Sequence, residues 1–148
     1  EPEARACRGQ EVGDEHVGAV ESDLAQELDA PIAITTLYNL AHEAGAYKKI
    51  LEDQEGVRHA CEAETSMMLV AAPDCVRKDR IKDAHGAFTA TRGLGVASPI
   101  NVWRSFKALT PSGVIGDARK ATAEKGEKLF DVAATLLADQ LIAGHPWL

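Results

Sequence analysis

Val57-Arg58-His59-Ala60-Cys61-Glu62-Ala63-Glu64-Thr65-Ser66-Met67-Met68-Leu69 holds the sharpest change of character in the chain. Ahead of it, Glu52 to Gly56 is polar and turn-like, and behind it Met67, Met68, Val70 and Ala71 continue as a helix that stops at Pro73-Asp74, because proline lacks the amide a helix needs. His59 is therefore expected at the mouth of a loop and Glu64 near a helix N-terminus. There the peptide dipoles favour a carboxylate, and acid and base groups can face a ligand.

Working outward, Val17, Val20, Leu24 and Leu28 recur at helical spacing from His16 until Asp29-Ala30-Pro31 closes the stretch. Pro31 to Tyr38 is a short run with β-branched residues, expected to form a buried strand. Leu37, Leu40, Ala41, Ala44, Tyr47 and Leu51 then place a second helix from about Asn39 to Glu52, weakened by Gly45. Helix, strand and helix in succession imply an α/β layer. Glu1 to Asp14 has no sustained period and reads as coil.

On the C-terminal side, Ala84 to Ser98 reads as a long surface loop, the kind that often carries function. Ile100 to Leu109, with Val102, Trp103 and Phe106, reads as a strand or a ragged loop edge. Asp117 is the expected N-cap of a long amphipathic helix from about Ala118 to Ala143. Its apolar face is Leu129, Val132, Ala133, Leu136, Leu137 and Leu141, ahead of Gly144 and Pro146.

At 148 residues the chain suits a single domain with one core. With 23 acidic against 16 basic residues its net charge is −7, and the basic residues read as scattered, which argues against nucleic acid as a partner. No apolar stretch reaches the length of a membrane span, and the N-terminus lacks the pattern of a secretion signal. A cytoplasmic protein with no membrane partner is the expectation. Cys7, Cys61 and Cys75 show no paired spacing and read as reduced thiols.

The chemical candidates centre on His59, Glu62 and Glu64, since imidazole and carboxylate are both metal ligands and proton carriers. In one continuous helix Glu64 would lie about 140° from His59, so the three converge only if the chain bends near Cys61. The plain alternative is a capped, solvated helix start. Asp14-Glu15-His16 holds ligand types, but adjacent residues diverge, which favours a solvated N-terminus. His42-Glu43 begins a zinc-peptidase pattern, yet Ala46 stands where the second histidine is needed. Asp83-Ala84-His85-Gly86 could offer a ligand from the loop, against the simpler reading of a turn histidine. Arg92-Gly93-Leu94-Gly95 is too short for a dinucleotide loop. Cys61 could act as a nucleophile beside His59, with a small buried thiol the simpler reading. Trp103 and Trp147 read as core or interface aromatics.

His59-Ala60-Cys61-Glu62-Ala63-Glu64-Thr65-Ser66 resembles the His-Ala-Gly-x-x-Glu-Thr-Ser motif of the creatininase (creatinine amidohydrolase) family, with Cys61 at the usual glycine. Leu109 to Ala118 and Lys120-Ala121-Thr122-Ala123-Glu124-Lys125-Gly126 resemble the family's Gly-x-x-Gly-Asp-Pro and Ala-Thr-x-Glu-Lys-Gly segment, with Ala118 at the proline. The similarity runs from about Val17 to the C-terminus.

The resemblance implies a three-layer α/β/α sandwich, assembled as a homo-oligomer, usually a hexamer. The activity implied is hydrolysis of small or cyclic amide C–N bonds by water held on a pair of divalent metals, zinc or manganese. By match to the motif, His59 would protonate the leaving nitrogen or hold the tetrahedral intermediate. Glu64 would stand at the metal pair, as a ligand or as a proton carrier for the water. The family's N-terminal Glu-x-His and Asp metal segment, and its Asn-Gly-His-Gly-Gly-Asn-like loop, have no counterpart here. Residues Glu11 to His16 stand where that loop should fall, with Gly13 at the metal-binding histidine. The expectation is that 17–148 is the C-terminal part of a creatininase-like domain lacking its N-terminal portion, and 1–16 an unassigned coil, unrelated to the family or out of frame. If most ligands are missing, the alternative is a catalytically incompetent remnant that serves as an oligomerisation or interaction module.

Overall fold

The computed structural model describes residues 22–36, 38–86 and 105–147. Their architecture is mixed, with helices around a small sheet, and is compatible with an α/β fold. Helix α1 occupies residues 22–28. It ends as expected at Asp29, whose φ of 46° is left-handed, ahead of Pro31. Helix α2 is Asn39–Glu43, α3 is Glu62–Ala71, α4 is Phe106–Leu109 and α5 is Ala123–Ile142. Strands β1 (His85–Gly86) and β2 (Gly116–Asp117) pair antiparallel, with His85 opposite Asp117 and Gly86 opposite Gly116.

Several local expectations are corrected. Residues 31–36 carry no regular structure and Ile34 is 47% exposed, so the predicted buried strand is absent from this stretch. A β-branched run forms a strand only where a neighbouring strand pairs with it, and none does so here among the described residues. The second helix is cut short at Gly45, where φ is 64°, and the chain resumes as a 3₁₀ turn over Ala46–Lys49. The long C-terminal helix begins at Ala123, with Thr122 as its cap: the Thr122 hydroxyl accepts from Lys125 N at 3.1 Å. Asp117 instead caps the preceding 3₁₀ turn, Ala118–Lys120. Within Ile100 to Leu109, expected as a strand or ragged edge, Phe106–Leu109 is a helical turn. Cys75 is disulfide-bonded, against the expectation of three reduced thiols, while Cys61 is free and buried.

The expectations for Glu1 to Asp14, for Asp14-Glu15-His16, for Arg92 to Gly95 and for Trp103 lie outside the described residues, as does most of the loop from Ala84 to Ser98. None of the described helices is long and apolar enough to cross a membrane.

The core joins α2, the 3₁₀ turn after it, α3 and α5 through Ala41, Tyr47, Leu51, Cys61, Ala63, Met67, Leu129 and Ala133. Complete burial of Leu129 contributes roughly 2 kcal/mol. The predicted apolar face of α5 holds at Leu129, Ala133, Val132 and Leu136 and runs out at Leu141, which is exposed. Helices α3 and α5 pack with their backbones in close approach. A Cβ on Gly126 would stand 2.2 Å from the Ser66 carbonyl oxygen, a backbone atom that cannot swing aside. Closely packed helices have no slack for an added carbon. Gly126→Ala is expected to lower unfolding free energy by about 1–3 kcal/mol, as overpacking does, measured by urea denaturation. A variant as stable as the parent would show that the two helices can separate at no cost.

Candidate functional site

Ala60 is the local cause of the site. Its φ of 47° is unusual for a residue with a side chain, and it turns the backbone sharply before α3. That turn supplies the bend on which convergence of the sequence candidates depends. On its near side, His59 O accepts from Ile115 N at 2.8 Å in an isolated antiparallel bridge. The His59 ring meets Phe106 edge to face, with centroids 4.5 Å apart. On its far side, Glu64 reaches back and its carboxylate accepts the Ala60 amide. The bond holds the amide one position before the N-cap residue Cys61, which makes no side-chain cap bond of its own. Thr65 adds a hydroxyl bond to Ala60 O at 3.4 Å.

His59 and Glu64 thereby stand in the wall of one cleft of about 790 Å³. Met68, Ala71, Ile81 and Phe130 give it apolar surface, and the Pro111-Ser112-Gly113 turn closes one side. That turn is pinned by Thr110 Oγ1 donating to Val114 O at 2.7 Å and Ser112 Oγ donating to His85 O at 3.3 Å.

Glu62 does not join them. It is fully buried on the opposite side of α3, accepting from Glu52 N and Asp53 N at 3.0 and 2.9 Å and from Lys125 Nζ at 2.6 Å. Lys125 Nζ also donates to Glu52 Oε1 at 2.5 Å and to Lys120 O at 2.8 Å, so its three N–H groups are all satisfied. Burial alone would lower the Lys125 ammonium, but the hydrogen bonds to Glu52 and Glu62 outweigh it and raise the ammonium above the usual lysine value. The same bond to Lys125 holds the exposed Glu52 below the ordinary carboxylate range. Ser66 completes the join, donating to Glu62 O at 2.6 Å and accepting from Thr122 N at 3.2 Å.

The two sequence motifs therefore fit into each other. Glu62 and Ser66 of the first meet Thr122, Lys125 and Gly126 of the second. Cys61 stands where a glycine is usual without strain, because its φ of −87° is open to any residue. Its buried thiol accepts from Arg58 N at 3.3 Å, a structural role in place of a nucleophilic one.

The remaining candidates separate. His42 lies at the end of α2 with its ring against Gly56, away from the cleft residues. His85 is exposed and lies in β1, whereas its sequence context suggests a turn. Trp147 is 55% exposed, so it is not a core aromatic. Among the described residues no three His, Cys, Asp or Glu side chains come together as a metal-holding group.

One feature escapes the sequence reading. Arg77, Lys78, Arg80 and Lys82 put four cations within six residues of an acidic chain, contrary to the expectation of scattered basic residues. Arg77 and Arg80 both line the cleft. The signal is present in the sequence, as arginines three apart ahead of a glycine.

A sequence model of the creatininase family, described as creatinine amidohydrolase, matches residues 4–141. The chain belongs to the creatininase family. No curated protein and no solved structure matches the chain. The family motifs thus coincide with the α3–α5 join and with the His59–Glu64 wall of the cleft.

A testable pH dependence comes from the Gly-Asp end of the second motif. The Asp117 carboxyl lies below its usual value chiefly because the Arg119 side chain donates to it, at 2.7 Å to each oxygen. A depressed folded value means that this stability is present above the unfolded value near 4 and is lost as pH falls through the folded one. Asp117→Asn should lower stability at pH 7 and flatten the decline that sets in as pH falls below about 4, followed by thermal unfolding across pH. An unchanged acid limb would assign the decline to other carboxylates.

Proposed function

We propose that this chain is an amidohydrolase acting on a small or cyclic amide in the cleft walled by His59 and Glu64. The observation that carries the reading is their convergence on one cleft, produced by the left-handed turn at Ala60, in a chain of the creatininase family. In hydrolysis, water adds to the carbonyl carbon, the C–N bond breaks, and a proton must leave the water and another reach the departing nitrogen. Glu64 is suited to accept the first and His59 to deliver the second.

The family implies divalent zinc or manganese, and Glu64 is the motif residue assigned to it. The described residues do not fit that role as a set: no third donor joins His59 and Glu64, and the Glu64 carboxylate is engaged by Ala60 N. The proton steps are assigned to His59 and Glu64. A three-layer α/β/α sandwich, a homo-oligomeric and usually hexameric assembly, and a cytoplasmic setting are proposed with the same reading. Neither a nucleic acid nor a membrane partner is part of it.

The bond from the Ala60 amide to the Glu64 carboxylate favours a second reading, in which the family's packing persists without its chemistry. In that case the chain is an oligomerisation or interaction module. Assay of purified protein against a panel of small amides, with and without added zinc and manganese, separates the two. On the first reading turnover is measurable, and His59→Ala lowers kcat by about 100-fold or more with little change in melting temperature. Turnover in the parent that survives His59→Ala would contradict the role of His59, and a parent inert under every condition would favour the second reading.

A further inference from the structure

The cleft has a polarity that the His59 and Glu64 assignment does not use. After α3 the chain turns back through a 3₁₀ segment, Lys78–Asp83, and reaches β1. In a 3₁₀ helix residues three apart eclipse one another, so Arg80 and Asp83 share one face, and with Arg77, the residue that precedes the segment, they line the cleft. Asp83 lies 3.9 Å from Arg80 and offsets part of its charge. Arg77 has no ion-pair partner among the described residues, and it lies in the segment that follows the C-terminal end of α3, beyond Ala71 and Val76. Glu64 lies in the first turn of α3. Seven residues of helix, about 10 Å, separate it from Ala71.

We infer that Arg77 is the anion-binding residue of this cleft, and that the substrate is an amide whose apolar body ends in a carboxylate. The inference rests on the amidohydrolase reading for the word substrate, but the binding it asserts does not. A guanidinium presents parallel N–H donors that match the two oxygens of a carboxylate. The cations at 77, 78, 80 and 82 are interleaved with aspartates at 74, 79 and 83, so the segment as a whole is close to neutral and the attraction for an anion falls to the guanidinium that lines the cleft without an ion-pair partner among the described residues. The apolar surface of Met68, Ala71, Val76 and Ile81 fits an uncharged body lying between the carboxylate and the scissile amide. Arg80 is offset by Asp83, which leaves Arg77 to decide the preference for charge.

The test uses N-benzoylglycyl-leucine and its C-terminal amide, which differ by one charge at the end away from the benzamide. Binding to the full chain is followed by calorimetry, with Arg77→Gln as the variant. Arg77 is exposed, so the fold is not at stake, and the melting temperature checks this. The acid should bind at least 10-fold more tightly than the amide, with the difference abolished in Arg77→Gln and halved or more by raising salt from 50 to 500 mM, as expected for a screened charge. Equal affinity of acid and amide, no binding of either, or a preference that survives Arg77→Gln would overturn the inference. Hydrolysis assayed in the same samples keeps the two claims apart. Charge-selective binding without turnover sustains the role of Arg77 and counts against the amidohydrolase reading, whereas turnover indifferent to charge does the reverse.

Discussion

A carboxylate with no exposure to water must be paired, and pairing Glu62 is the condition on which this structure rests. An isolated buried charge would cost several kcal/mol, and the chain answers with two backbone amides and the Lys125 ammonium. The pairing therefore closes the loop at Glu52-Asp53, the start of α3 and the start of α5 around one point. Ser66 and Gly126 let the helices approach closely enough for the ion pair to form.

The chemistry of the cleft depends on the same commitment. Glu62 and Glu64 are two residues apart, about 200° around a helix. Turning Glu62 toward α5 turns Glu64 away from it, onto the side where the Ala60 turn delivers His59. A single packing decision thus separates a structural carboxylate from a cleft-facing one. It also explains how a motif can hold two glutamates so close together and use them in opposite ways. Arg77 and Arg80 line the same cleft as Glu64 and His59, together with apolar side chains such as Met68 and Ile81.

Much of this is legible in the residues, and the failures have physical causes. The start of α3, the close of α1 at Asp29 and the apolar stripe of α5 as far as Leu136 are all visible as periodicity and punctuation. The bend near Cys61 can be named as a requirement, but its place cannot be foreseen, because alanine gives no sign that it will adopt φ of 47°. The stretch 31–36 misleads because β-branching reports a preference for a pleated surface, not the presence of a partner strand. Lys125 reads only as part of a motif, since nothing local links it to Glu62, 63 residues earlier. Cys75 misleads because spacing cannot reveal a disulfide closed by tertiary structure.

Glu62 and Lys125 act as a unit in holding α3 against α5. A double-mutant cycle by urea denaturation, using Glu62→Gln, Lys125→Met and the pair together, measures it most directly. Each single change leaves a buried partner uncompensated, whereas the double change removes both, so a coupling energy of about 2 kcal/mol or more is expected. Losses that add to within about 0.5 kcal/mol would contradict it, and would mean that the helices are held by apolar packing alone.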